Sequence, residues 1–191
     1  IVMGRVASVG MAVAADTGVK QMSDLRGKRI GFVKGNPSVN VKNLAYIAMG
    51  GLTMDDIEPV WFGSYNAMKT AVLANQLDAF GSVPGSANMR ELEASPRGLV
   101  WPPFPPENKE GWKAVTDVVS FAAPMKVTRG AAVSEEKPVW LVGYRYPMIT
   151  VYNSAVSTDE IYNMIKALDE SFKDYEKTTA SSFNWALEKA A

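Results

Sequence analysis

The chain has no cysteine and no histidine. Their absence removes thiol nucleophiles, thiolate metal sites, imidazole bases and the usual zinc ligands together. A nucleophile, base and orienting group would have to be assembled from lysines and carboxylates, and no spacing in the sequence suggests such a set. Net charge is also missing: 20 Lys+Arg balance 20 Asp+Glu. A neutral balance argues against a nucleic-acid partner, which asks for a basic face. No apolar run reaches the roughly 18 residues that span a membrane. There is no low-complexity segment and no solenoid period. The lack of cysteine leaves the compartment open. The start, Ile1-Val2-Met3-Gly4, carries no leader, so the chain reads as a processed product or a segment of a longer protein.

What is present is a packable core and a repeated unit. The 191 residues are 47% hydrophobic, enough for one large domain or two small lobes. Strands are expected at Ile30–Val33, Pro59–Phe62, Leu77–Ser82 and Gly98–Trp101, with helices between them at Ser38–Met49, Tyr65–Ala74 and Gly85–Ala94. Strands alternating with helices of about a dozen residues predict α/β class and a mainly parallel sheet with right-handed crossovers. In such a sheet the loops leaving the strand ends share one edge, where ligands bind.

Outside the repeat, residues 1–15 read as an entering strand and Ser23-Asp24-Leu25 as a short capped turn. In the first long helix Val41, Leu44, Ala45 and Ala48 are expected to face the core. Pro102-Pro103-Phe104-Pro105-Pro106 excludes regular structure and reads as a rigid connector, with a lid as the other reading. A short helix is expected at Glu107–Ala114, strands at Val118–Ala122 and Met148–Tyr152, and irregular chain from Thr128 to Pro138. Ser157-Thr158-Asp159-Glu160 is a capping box. Ile161, Ile165, Leu168, Phe172 and Tyr175 then follow at helical spacing, and a last helix is expected near 182–189.

The strand-to-helix loops carry the candidate ligand residues. The first offers Gly35 for close backbone approach, with Asn36, Ser38 and Asn40 as polar groups beside free N–H groups. A helix start of this kind holds a carboxylate or phosphate, although Ser38 also reads simply as a cap. It is not a P-loop, because the GxxxxGK[ST] spacing is missing. The second loop offers Ser64 and Tyr65, and the third Ser82 and Gly85. Within Gly143-Tyr144-Arg145-Tyr146-Pro147, Arg145 reads as a bidentate clamp for a carboxylate with Tyr144 as an aromatic wall, or else as a surface arginine covering aromatic rings. Arg129 is a weaker candidate. The Glu135-Glu136 pair and the charges of Lys173, Asp174, Glu176 and Lys177 read as solvated surface.

The stretch Asp16-Thr17-Gly18-Val19-Lys20-Gln21-Met22-Ser23-Asp24-Leu25-Arg26-Gly27-Lys28-Arg29-Ile30 resembles a recurrent segment of type II periplasmic solute-binding proteins. Within them the chain is most similar to the TAXI-type solute receptors of TRAP transporters. The residues that carry this are Asn40–Leu52 with Thr53-Met54-Asp55-Asp56-Ile57, then Gln76-Leu77-Asp78-Ala79-Phe80 with Pro84 and Glu91-Leu92, and last Tyr144, Tyr146-Pro147 and Val151-Tyr152. The resemblance implies a two-lobed periplasmic or membrane-associated receptor without catalysis or cofactor. It would close on a small organic acid or amino acid and present it to TRAP membrane permease subunits.

By the same resemblance, 1–15 and 145–191 belong to a partial first lobe and 16–144 to the second lobe with its connecting segments. Hinges are expected near Ala12–Asp16 and within Phe121–Tyr146. Two departures stand out. Asn36-Pro37-Ser38-Val39 replaces the family's Gly-Ser-Gly-Thr-type turn, and roughly a hundred residues of first-lobe sequence are absent. The alternative from the same fold is the effector-sensing domain of a transcription regulator, and a third class is an enzyme on the same scaffold.

Overall fold

The structure is a computed structural model. It describes residues 2–149 and 156–177. The described residues fall into two compact units, one within Ser8–Gly143 and the other drawn from the stretches Ile1–Ala7 and Tyr144–Ala191.

The larger unit is built on β2 (Arg29–Val33), β3 (Glu58–Phe62) and β4 (Ala79–Ser82). Between them run α1 (Pro37–Met49) and α2 (Tyr65–Leu73), and α3 (Ala87–Ala94) follows β4. β2 pairs in parallel with β3 on one side and β4 on the other, so the α/β class and the parallel core expected from the repeat are present. The expected fourth parallel strand is not. It is reduced to β5 (Leu99–Val100), which runs antiparallel against β1 (Val2–Ala14). The reason is that β1 already occupies the free edge of β4, antiparallel, from Gly10↔Ser82 to Val13↔Ala79. With β6 (Ala122–Val127) and β7 (Val139–Ile149) the order is β3-β2-β4-β1-β7-β6. The strand expected over residues 1–15 is present as β1, inside the sheet between β4 and β7, with Met11 to Ala14 fully buried.

Helices cover both faces. Gly31 and Phe80 point to one face: a Cβ on Gly31 would meet Met68 of α2, and Phe80 packs edge-on against Tyr65. Gly81 points to the other, where its Cβ would meet Asn43 and Tyr46 of α1. α1 packs in turn on α4 (Lys109–Val118). At Gly111 the helices approach so closely that a Cβ would stand 2.5 Å from Met49 Sδ.

α1 is therefore pressed between sheet and helix. It buries Asn43, Ala45, Tyr46, Ile47 and Met49, not the narrower face expected, and Val41 remains 37% exposed. α4 runs through Val118, which was expected in a strand. Asn108 caps it through Gly111 N, and Trp112, Val115 and Val119 continue a buried helical stripe. The proline-rich run is a packed connector. Phe104 is fully buried against Tyr46 and Trp112, and its N–H donates to Trp140 O.

In the smaller unit Ser157 and Glu160 form the expected capping box of α5 (Thr158–Glu170), followed by α6 (Phe172–Tyr175). Of the expected apolar stripe Ile161 is buried, while Ile165, Leu168 and Phe172 are half-buried. The side chain of Tyr175, the expected strand residues Thr150–Tyr152 and the helix near 182–189 lie outside the described residues.

Candidate functional site

Parallel pairing puts the last residues of three strands side by side. Val33 pairs with Phe62, and the Ile30↔Ala79 register carries Val33 level with Ser82. The turns that leave them therefore share one sheet edge.

In the first turn the helix begins earlier than expected, at Pro37, a residue suited to the first helical position. Asn36 rather than Ser38 is the cap, with its Oδ1 accepting from Val39 N at 3.2 Å. Asn40 turns back to its own strand. It accepts from Val33 N at 2.9 Å and donates to Val33 O at 2.8 Å. Ser38 is exposed, and Gly35 takes the left-handed φ of 72° that closes the turn.

In the second turn Ser64 caps α2, accepting from Ala67 N. Tyr65 donates its hydroxyl to Ser82 Oγ at 2.5 Å, which ties the second turn to the end of β4. Burial pushes the Tyr65 phenol above the ordinary tyrosine value, against the lowering effect of the Ser82 bond.

In the third turn Ser86 precedes α3 without a side-chain capping bond, and Gly85 stands half-buried beside it. A strap of chain at 130–132 is stitched onto this turn. Ala131 N donates to Pro84 O and Ala132 N to Glu93 Oε1, each at 2.8 Å, and Trp101 Nε1 holds Ala131 O at 2.9 Å. A Cβ on Gly130 would stand 2.5 Å from Pro84, so this closeness requires glycine.

A cavity of about 250 Å³ opens at the end of β4, lined by residues from α1, α2, β1 and the third turn. Of the residues expected from sequence it gathers Tyr65 and Ser82. The polar groups of Asn36, Asn40 and Ser64 are engaged in the local bonds described above. Tyr144 is fully buried in the smaller unit, and the side chain of Arg145 lies outside the described residues. Sequence reasoning missed Lys42, Asn43, Tyr46 and Gly81, which form the α1 wall and the floor. A signal existed for one of them: Asn43 interrupts an otherwise apolar helix face and is fully buried.

The opposite edge of the sheet is charged. Arg29 at the start of β2 and Asp78 before β4 form a bidentate pair. Arg97 binds both oxygens of Asp16 and donates to Val72 O and Leu77 O. Burial acts to raise the Asp78 carboxyl, but the Arg29 hydrogen bonds and the charges of Arg29 and Arg97 outweigh it and hold the group below its ordinary value. Among the described residues no acidic cluster suited to a metal ion is found, and no helix is long and apolar enough to cross a membrane.

Several solved structures resemble this arrangement in part. A periplasmic sulfonate-binding protein of a putative sulfonate ABC transporter from Methylobacillus flagellatus is 23% identical over 43% of this chain and 24% of its own, with a TM-score of 0.37. A probable amino-acid ABC transporter extracellular-binding protein from Bacillus subtilis is 13% identical over 97% and 63%, with a TM-score of 0.47. The alkanesulfonate-binding protein from Xanthomonas axonopodis pv. citri, bound to MOPS, is 20% identical over 100% and 70%, with a TM-score of 0.40. This chain thus spans about a quarter and 63% of the length of the first two. No curated protein matches it. Residues 5–111 match the family model described as NMT1/THI5 like.

Proposed function

The chain belongs to the NMT1/THI5-like family, and we propose that it is the solute-capturing part of an extracytoplasmic receptor that delivers a small organic acid or amino acid to a membrane permease. One observation carries the reading: the cavity at the end of β4, on the edge where three strand-to-helix turns meet. Its wall combines two tyrosines, hydroxyls and an amide with apolar side chains, the mixture that binds and orients a small molecule. Backbone N–H groups of α2 and α3 and the half-buried Lys42 supply favourable potential for a negative group at the rim.

The reading assigns gripping and release, not bond-making. The finer assignment of the permease to the TRAP type, with a TAXI-type receptor, rests on the sequence resemblance carried by Asn40–Ile57, Gln76–Phe80 and Tyr144–Tyr152. ABC-type uptake is the second reading, the transporter class of the sulfonate- and amino-acid-binding proteins named above. Co-purification of the full receptor with its permease decides between the two.

Calorimetric titration with mono- and dicarboxylates, amino acids and neutral sugars tests the proposal. Saturable binding of an acid or amino acid is the expected result, and the absence of binding by every class refutes it. Arg145→Ala tests the clamp expected from sequence. Acid affinity should fall at least tenfold, which corresponds to the loss of one charge-assisted contact.

A further inference from the structure

The cavity wall holds a polar atom that the fold leaves unpaired. Asn43 is fully buried on α1. Its Nδ2 donates to Gly31 O at 2.8 Å, which fixes which end of the amide is which. Its Oδ1 is buried and receives no hydrogen bond. Buried carbonyl oxygens are ordinarily satisfied, so such an atom in the wall of a cavity marks a place for an incoming donor. Close by, Ser82 Oγ accepts the Tyr65 proton, so its own proton is the one left to donate.

Resting on the receptor reading, we infer that the solute places a neutral hydrogen-bond-donating group, an N–H of a carboxamide type, in this cavity against Asn43 Oδ1, with its carbonyl toward Ser82. Oδ1 faces Gly81 in the structure, so the contact needs a rotation of the Asn43 amide that carries Oδ1 into the cavity and gives up the Nδ2 bond to Gly31 O, a loss that the bonds to the solute offset. A carboxylate at the same place would set its charge against a carbonyl oxygen and bring no donor. An acidic group on the same solute belongs at the rim instead, near Lys42 and the starts of α2 and α3.

Isosteric pairs separate these cases: benzamide against benzoate, and isovaleramide against isovalerate. Each is titrated calorimetrically into the full chain and into Asn43→Leu. The amides should bind the wild type at least tenfold more tightly than their acids, and in Asn43→Leu the preference should fall to within threefold. Acids that bind the wild type as well as the amides overturn the inference and leave the receptor reading standing. So does an Asn43→Leu protein that keeps the preference, and so does failure of both pairs while an amino acid or other solute binds. Failure of every solute overturns both. If Asn43→Leu does not fold, the wild-type comparison stands with the Asn43 side-chain amide resonances. They should move with benzamide and not with benzoate, and resonances unmoved by benzamide refute the contact.

Discussion

Gly81 and Asn43 meet with no room for one more carbon: a Cβ built on Gly81 stands 2.1 Å from Asn43 Oδ1. β4 and α1 can pack this closely only because residue 81 has no side chain. Gly81→Ala should displace the amide from Gly31 O and press on Tyr46. A loss of about 1–3 kcal/mol is expected, as for an overfilled core. Denaturant unfolding measures it, and the double variant Gly81→Ala/Asn43→Ala should recover part of the loss because the two positions are coupled.

Asp78→Asn should destabilise the larger unit by about 1.5–3 kcal/mol, since it removes the counter-charge of Arg29, while Arg97 keeps Asp16. The pH dependence has a definite sign. The Asp78 carboxyl titrates lower when folded than when unfolded. Its contribution is therefore present above the unfolded value of about 3.9 and is lost as pH falls through the lower folded value. Wild type should lose stability over that acidic window, and Asp78→Asn should lose less. Equal acid slopes for the two proteins would refute the assignment.

Tyr65→Phe removes the bond to Ser82 and should cost about 0.5–1.5 kcal/mol. The phenol's raised value predicts the alkaline limb as well. Stability supplied by the neutral Tyr65 is complete below the unfolded value of about 10 and is lost as pH rises through the folded one. Ultraviolet titration should show a tyrosine that ionises late in the wild type and is missing from the variant.

Asn40→Ala discriminates a structural role from direct ligand contact. The side chain makes two bonds to Val33, so its loss should lower stability by about 1–3 kcal/mol. Thermal unfolding without ligand should register that loss. An unchanged melting temperature together with weaker solute binding would mean that Asn40 contacts the solute instead.

The parallel core was legible in the sequence because its signals are local. Helix periodicity, glycine and proline at the turns and the capping residues Ser64 and Ser157 all act within a few residues. What was not legible depends on partners far along the chain. Nothing local to Gly98–Trp101 reveals that β1 has already taken the edge of β4. The periodicity of α1 does not reveal that α4 buries a second side of it, and the stripe from Trp112 to Val119 carries α4 past the helix end that its sequence suggests, through Val118.

At the site, the edge was predicted from the order of strands and helices, and Tyr65 and Ser82 fell in the cavity. Asn36 and Asn40 bond to backbone in the structure, and a polar side chain near a helix start serves a backbone as readily as a solute. Lys42, Asn43 and Tyr46 carry no turn signal, because this wall comes from the interior of α1.

The arginine–aspartate clasp and the hydroxyl-lined pocket stand at opposite ends of the same short strands. That separation gives the scaffold a modular inheritance. If the pocket holds a solute as proposed, a lineage can change what it holds by rewriting a few turn and helix positions while the distant ionic knot preserves the architecture.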